Sequence, residues 1–184
     1  MNETIKIMRY RRSIRRFLPE QIKDEELQAI IESGLYAPSA HNDQPWHFTV
    51  LRDKAMIDKL NIDSKEAAKD FHDEFVRNMA NNEKLHTLFG APLVIIVSGK
   101  DDAMMPRDDC AAATENMLIA AESMGIGACW IGFVRCLFEN HKEKVMEDYK
   151  IPEGHTPYYV VSFGYKKSVP QREIERKPGR VTYL

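Results

Sequence analysis

A run of basic side chains near the start of the chain is the first stretch whose residue types could do chemistry. Five arginines lie within residues 9–16, although the whole chain carries a net charge of only −2. Arginine binds phosphate through a planar pair of hydrogen bonds, and the hydroxyl of Ser13 adds a further donor. Ile14 and Phe17 interleave apolar side chains, which a purely solvated face would not need. The run therefore predicts an anion-binding segment that is anchored by its apolar residues.

A second stretch, residues 37–48, is polar where a simple turn would use glycine. It lies between a helical pattern and a strand pattern, and Pro38 and Pro45 each favour extended backbone in the residue before them. Hydroxyl, amide and carboxylate side chains lie between the two prolines: Ser39, Asn42, Asp43 and Gln44. Such groups beside aromatic rings suit a flat heteroaromatic ligand with polar edges. The alternative is an ordinary connection between helix and strand, with Trp46 in the core.

Composition is that of an ordinary globular chain. Apolar residues make up 43% and charged residues 29% of the 184 residues, and residues 1–184 are predicted to form one domain. No apolar run approaches the about 20 residues that a membrane-spanning helix needs, and no signal peptide is evident. The three cysteines are predicted to be buried free thiols, which favours a cytoplasmic location. They are Cys110, Cys129 and Cys136.

The common catalytic and nucleotide-binding motifs are missing from the sequence. The six histidines and three cysteines show no zinc-site spacing, so no metal is predicted. There is neither a G-x-S-x-G nucleophile elbow nor a P-loop. Gly125 and Gly127 follow a helix and enter a strand, which reverses the order of the dinucleotide fingerprint. Nucleic acid is also disfavoured, because no second basic stripe accompanies residues 9–16.

Four stretches together resemble the nitroreductase family of FMN-dependent oxidoreductases. They are residues 11–17, 37–48 and 125–132 and, more weakly, 176–178. They follow the family's order and span nearly the whole chain, whereas residues 61–89 match least. The first two stretches in tandem carry the resemblance, since the third alone is a common entry into a strand.

The resemblance implies a function in which the cofactor does the chemistry. The expected enzyme passes hydride or electrons from NADH or NADPH to a nitroaromatic, quinone or similar electron-poor acceptor by a ping-pong mechanism. The cofactor is FMN, and no side chain is assigned a catalytic proton transfer. This agrees with the missing catalytic motifs, because in flavin enzymes the protein supplies binding, orientation and electrostatics.

The resemblance also assigns residues to parts of FMN. The phosphate would be bound by Arg11 and Ser13, with Arg176 or Lys177 from the tail. Arg15 matches the family position whose cation lies near N1 and C2=O of the flavin, where reduction places negative charge. Arg12 matches a variable position, and its alternative is a surface cation. One edge of the ring would contact the partner subunit's loop through Pro38, Ser39, Asn42 and Gln44. Ile131 and Gly132, at the end of a strand in the same chain, would lie beside the ring.

Hydrophobic periodicity and the resemblance together predict an α+β fold. Predicted strands cover residues 46–51, 92–97, 128–133 and 158–164, and predicted helices cover 3–9, 24–35, 54–60, 108–124 and 138–149. The resemblance implies a mixed, mainly antiparallel sheet of four strands plus one from a partner, flanked by helices. It also implies an obligate homodimer with a domain-swapped C-terminal tail. The helix at 108–124 agrees, since it is small or apolar nearly all round.

Two alternatives stay open. A non-enzymatic FMN-binding or redox-sensing module would keep the same site but would not oxidise NADH or NADPH. A specialised relative that fragments its flavin or dehalogenates a tyrosine derivative would be expected to carry a dedicated lid, and residues 61–89 show no obvious one. The sequence leaves the physiological acceptor, the preferred nicotinamide and the role of His41 undetermined.

Overall fold

The computed structural model describes residues 1–169 and 175–184, and within them the chain forms four strands and seven α-helices. The strands are β1 (Trp46–Leu51), β2 (Leu93–Lys100), β3 (Ile126–Ile131) and β4 (His155–Tyr165). The helices are α1 (Glu3–Tyr10), α2 (Asp24–Leu35), α3 (Lys54–Ala67), α4 (Glu74–Asn81), α5 (Pro106–Ser123), α6 (Arg135–Asn140) and α7 (Lys142–Asp148). A short 3₁₀ turn, Ala40–Asn42, precedes β1.

The four strands form one antiparallel sheet in the order β1-β2-β4-β3. Successive side chains of a strand point to opposite faces, so the continuous apolar run of β2 supplies both core clusters. Its residues divide between them as Leu93, Ile95 and Val97 on one face and Val94 and Ile96 on the other. The predicted α+β fold with a mainly antiparallel sheet is confirmed. The fifth strand and the tail exchange stay predictions.

Helices cover both faces of the sheet. The first core cluster packs α2 and α5 on one face, and the second packs α3, α6 and α7 on the other. The buried residues of α5 recur at helical spacing: Cys110, Ala113, Met117 and Ala121. On the other side of α5, Ala112 and Glu115 stay partly exposed. The helix predicted from small and apolar residues is therefore only partly covered by its own chain.

Two helices differ from the sequence prediction. α3 continues through the buried Ser64 to Ala67, where the Nζ of Lys65 donates to the carbonyls of Asn82 at 2.6 Å and Leu85 at 3.2 Å. The helix predicted over residues 138–149 divides at His141 into α6 and α7. The division lets both halves bury apolar side chains against the same face of the sheet, which one straight helix would not achieve.

The three cysteines confirm the predicted thiol state, since all are buried and free. Burial raises the pKa of the Cys110 thiol to about 12 and also raises the pKa values of Cys129 and Cys136. Within residues 1–169 and 175–184, no helix combines the length and apolar character needed to cross a bilayer. The same residues place no three histidine, cysteine or acidic side chains together as metal ligands.

Candidate functional site

The arginine-rich segment lies along the outer edge of β3. The N–H of Ile14 donates to the carbonyl of Ala128 at 2.9 Å, and Ser13 forms an isolated parallel bridge with the same residue. Ile14 is fully buried and Phe17 is nearly so, which confirms their predicted role as apolar anchors. Neighbouring residues of an extended segment point to opposite sides, so Ser13 and Arg15 face away from this core. The edge of β3 thus presents a polar surface.

Three polar side chains of this segment act on the pKa of one buried thiol. Burial raises the pKa of Cys129, and Arg15, the hydroxyl of Ser13 and Arg11 act in the opposite direction. Within residues 1–169 and 175–184 the buried Nε of Arg11 has no hydrogen-bond partner, and Oε1 of Glu115 lies 3.8 Å from it. A buried donor in this state is unusual and calls for an acceptor. The cluster therefore offers unused donors to an anion.

Arg12 has a different environment. Its Nη1 donates to the carbonyls of Arg9 and Arg11, both at 2.9 Å. These bonds satisfy carbonyl groups at the end of α1, where the helix leaves acceptors without partners. The structure therefore favours the alternative reading of Arg12 as a surface cation.

Arg15 is exposed, and an aromatic ring supports it. Its guanidinium carbon lies 5.7 Å from the centroid of the Phe89 ring. In the described part of the chain it forms no ion pair, whereas Arg11, Arg52 and Arg135 each have a carboxylate nearby. Its positive charge is therefore not neutralised by another side chain.

The loop at residues 38–44 has an unusual backbone. His41, Asn42 and Gln44 have φ values of 52°, 58° and 47°, a region that residues other than glycine rarely adopt. The N–H of Gln44 donates to Oγ of Ser39 at 3.0 Å, and Nε2 of Gln44 donates to Oδ1 of Asn42 at 3.1 Å. Pro38, His41, Asn42 and Gln44 are all exposed. Ser39, Asn42 and Gln44 are therefore joined by hydrogen bonds, and the two amide residues are exposed.

Asp109 anchors this loop to α5. Its Oδ1 accepts the N–H of Ala40 at 3.0 Å, the residue is 6% exposed, and its Oδ2 has no hydrogen-bond partner in the part of the chain that the structure describes. In the sequence Asp109 lies only in the first turn of the helix predicted over residues 108–124, and nothing there indicates this contact. Trp46, which follows the loop, is 8% exposed and belongs to the first core cluster, so the predicted core role of this ring is confirmed.

Ile131 and Gly132 lie at the end of β3, on the same edge of the sheet as the arginine-rich segment. Ile131 is buried, whereas Gly132 is exposed, and a Cβ built on Gly132 would meet no atom within 4 Å. The backbone here is therefore open to a planar group. Both residues line a cleft of about 430 Å³ whose wall includes Trp130, Phe138, Tyr158 and Tyr159.

The structure does not bring the loop and the arginine-rich segment together within one chain. The loop leads into β1 at one edge of the sheet, and the segment lies along β3 at the other. In the sheet register, Trp46 lies opposite Gly99 of β2. Ala128 lies opposite Phe163 of β4, which in turn lies opposite Leu93 of β2. These positions are roughly 20 Å apart along the strands and about 14 Å apart across them. The strand positions next to the loop and next to the segment are therefore well separated in one chain.

The model of the nitroreductase family matches residues 8–165. The chain belongs to the nitroreductase family. A relative from Archaeoglobus fulgidus, named as an NADH dehydrogenase/NAD(P)H nitroreductase, is 35% identical over 171 residues. The match covers 91% of this chain and 87% of that protein. An FMN reductase (NADPH) of Bacillus subtilis is 26% identical over 187 residues, which cover 100% of this chain and 73% of that enzyme.

The fold of this nitroreductase-family chain also matches solved structures. A crystal structure of a nitroreductase with bound FMN from Bacteroides fragilis shares 32% identity, with a TM-score of 0.91 and full coverage of both chains. The resemblance seen in the sequence is therefore confirmed at the level of family and fold. The matched range ends at residue 165, so Arg176 and Lys177 lie beyond it. Both are exposed, and their predicted role stays a prediction.

Proposed function

We propose that this nitroreductase-family protein is an FMN-dependent oxidoreductase that passes electrons from NADH or NADPH to an electron-poor acceptor such as a nitroaromatic or a quinone. The observation that carries the proposal is the set of unused donors from Arg11, Ser13 and Arg15 along the edge of β3. Bound FMN supplies the hydride and electron transfer. The two substrates use the same site in turn, so the scheme is ping-pong.

The residues of this edge fit FMN. The phosphate would accept hydrogen bonds from the buried Nε of Arg11 and from the hydroxyl of Ser13, and its charge would make such bonds strong. Arg15 holds a positive charge that no carboxylate of the described chain neutralises, where reduction adds negative charge to the ring. The open backbone at Gly132 leaves room for the edge of the ring, and the aromatic cleft beside it suits a planar acceptor.

These residues act by binding, orientation and charge. Arg11 and Ser13 would hold the phosphate of the cofactor, and Arg15 would stabilise negative charge on its ring. No described side chain at the site has the pairing of a general acid with a base. Protons for the acceptor come from water or from the cofactor itself.

The second half of the site comes from a partner subunit in a homodimer. Ala40 is bound to Asp109 on α5, and Arg11 faces Glu115 on the same helix, roughly 9 Å further along. If two α5 helices cross antiparallel near Ala112, the partner's Asp109 lies beside Glu115. The partner's loop then lies beside Arg11, as the resemblance implies. Exposed apolar side chains on α1 and in the tail support such an interface: Ile5, Met8, Tyr10, Val181 and Tyr183.

Purified protein is expected to be yellow and to carry FMN, because the donors described above are built for a phosphate and a flat ring. Its visible absorbance spectrum before and after heat release of the cofactor measures this. A colourless protein that leaves the fluorescence of added FMN unquenched contradicts the proposal. Steady-state oxidation of NADH or NADPH in the presence of a quinone then distinguishes an enzyme from a protein that only binds FMN.

Removing the loop anchor is expected to weaken FMN binding without destabilising the fold. In Asp109→Ala the partly buried N–H of Ala40 loses its acceptor, which costs about 1 kcal/mol locally and makes the dissociation constant about tenfold larger. The same change removes a buried carboxylate whose second oxygen has no partner in the described residues, so this gain offsets part of the cost and the melting temperature should change little. Asp108→Ala, on an exposed neighbour, is the matched control. Unchanged FMN affinity in Asp109→Ala would show that the anchor is irrelevant to the site.

The remaining sequence predictions extend this proposal. The organisation of residues 1–184 as one domain, the cytoplasmic location and the exchange of tails stay predictions. A flavin-fragmenting or dehalogenating specialisation has no specific structural observation in its favour, because α4 is short and largely exposed.

A further inference from the structure

Phe89 is the one aromatic side chain that lies against Arg15 in the described residues. We propose that Phe89 is a positioning residue, whose ring orients the Arg15 guanidinium toward FMN and thereby sets how strongly the reduced cofactor is favoured. This inference rests on the proposed function, since it requires FMN beside Arg15. Four properties of Phe89 support it: its backbone conformation, the bonds that hold it, the packing of its ring and the neutrality of that ring.

The backbone of Phe89 adopts a conformation that a bulky residue normally avoids. Its φ is 59°, and that of Gly90 is 60°, so two consecutive residues are left-handed. Glycine adopts this region readily, whereas an aromatic residue there is a true outlier. Strained residues of this kind persist where surrounding structure holds them and often occur at functional sites. A glycine or asparagine would satisfy the turn at less cost, so the side chain of Phe89 has a reason to be there.

Hydrogen bonds of Phe89 and of the two residues before it hold this strained residue in place. The N–H of Phe89 donates to the carbonyl of His86 at 2.8 Å, and the carbonyl of Leu88 accepts from Oγ of Ser162 at 3.1 Å. Just before them, Oδ1 of Asn61 accepts the N–H of Thr87 at 2.7 Å. Leu88 is fully buried. The backbone that carries the Phe89 ring is thus tied to the folded core through Leu88.

The ring of Phe89 forms a support for the arginine. It packs against the buried cluster of Ile14, Phe17 and Ala91, and the Arg15 guanidinium carbon lies 5.7 Å from its centroid. The apolar anchors of the arginine-rich segment and the ring therefore meet beneath the same cation. A guanidinium on the face of an aromatic ring is attracted by the ring quadrupole. The long arginine side chain is consequently restricted before any ligand arrives.

The neutrality of this support matters for the chemistry. A carboxylate at the same place would also hold Arg15, but it would cancel the charge that the reduced cofactor needs. An aromatic face orients the cation and leaves its net charge available to the ligand. This arrangement differs from that of Arg52 and Arg135, which are each paired with a carboxylate. Phe89 therefore provides orientation without neutralisation.

The test is the midpoint potential of FMN bound to the intact protein, which reports the ratio of its affinities in the reduced and oxidised states. Phe89→Leu keeps an apolar side chain but removes the ring face. This variant is expected to lower the ratio of the affinities for reduced and oxidised FMN about fivefold. Since a tenfold change corresponds to about 30 mV for a two-electron couple, the potential should be about 20 mV more negative. Phe89→Tyr keeps the ring and is expected to retain the parental potential. Melting temperatures control for the fold.

The double variant isolates the contact with Arg15. If the ring acts through the arginine, Phe89→Leu shifts the potential in the parental protein and has no effect in an Arg15→Ala background. An equal shift in both backgrounds overturns the proposal, and so does an unchanged potential in Phe89→Leu. If Phe89→Leu fails to fold, fluorinated phenylalanines at position 89 replace it, because they weaken the ring quadrupole at nearly constant shape. A potential that stays constant along that series also overturns the proposal.

Failure of this inference differs from failure of the proposed function. If Arg15→Ala shifts the potential and Phe89→Leu does not, only the positioning role of Phe89 is wrong. If Arg15→Ala itself leaves the potential unchanged while FMN stays bound, the role of Arg15 is wrong and that of Phe89 falls with it. If the protein binds no FMN, the proposed function fails, and the inference fails with it.

Discussion

Two variants that each bind FMN poorly are expected to recover binding when their subunits are mixed. One variant, Arg11→Ala/Ser13→Ala, lacks the phosphate donors, and the other, Asn42→Ala/Gln44→Ala, lacks the loop amides. In a mixed dimer with closed two-fold symmetry, one site combines two intact halves and the other combines two altered halves. After exchange at equal concentrations about half of the dimers are mixed, so about one quarter of all sites bind FMN.

The expected recovery follows from the sheet. The loop and the arginine-rich segment lie at opposite edges, so a site built from one chain would contain only one of them. The measurement is FMN absorbance per chain after subunit exchange, with mass spectrometry to confirm mixed dimers. Mixing Arg11→Ala with Ser13→Ala is the matched control. Both changes lie in the same half, so no intact site forms. Mixed dimers of the first pair that gain no FMN would exclude a shared site.

Arg15 and Arg11 are expected to control different properties of the bound cofactor. Reduction places negative charge near N1 and C2=O of FMN, and a guanidinium there stabilises the reduced form more than the oxidised form. Arg15→Ala should therefore lower the two-electron midpoint potential by about 20–50 mV, since about 30 mV corresponds to 1.4 kcal/mol. An arginine side chain stays charged throughout the working pH range, so the difference should persist across that range.

Arg11→Ala should act on affinity instead. Its buried Nε has no hydrogen-bond partner among the described residues, and hydrogen bonds to charged groups contribute about 1.5–3 kcal/mol, so FMN should bind about 10- to 100-fold more weakly. The potential of the cofactor that remains bound should stay near the parental value. Dye-equilibrated redox titration and fluorescence titration of both variants separate the two effects. A parental potential in FMN-loaded Arg15→Ala would contradict the role assigned to Arg15.

The sequence was most informative where one residue type has one physical consequence. The apolar β-branched run that becomes β2 predicted a strand buried on both faces, because no exposed strand tolerates such a run. Ile14 and Phe17 predicted an anchored segment, because the charged residues around them cannot enter the core. Trp46 and the three cysteines were correctly expected to be buried. Each of these inferences depends on local composition, and each is confirmed.

Element boundaries depended more on packing than on local pattern. Nothing near His141 is a helix breaker, yet α6 ends there and α7 begins, because both halves turn their apolar side chains to the same face of the sheet. The extension of α3 beyond residue 60 likewise depends on Lys65, whose Nζ binds two carbonyls near the end of α4. Such contacts link positions that a short window of sequence does not compare.

The sequence by itself therefore determined the types of groups at the site: cations and a hydroxyl for an anion, and amides for the edge of a ring. Only the tertiary structure decided which of them meet. It assigned Arg12 to the end of α1, bound Ala40 to Asp109 across 69 residues, and placed Phe89 against Arg15. Periodicity reports which side of an element is buried, whereas contacts between elements depend on strand order and register. That order puts the loop and the arginine-rich segment at opposite edges of the sheet.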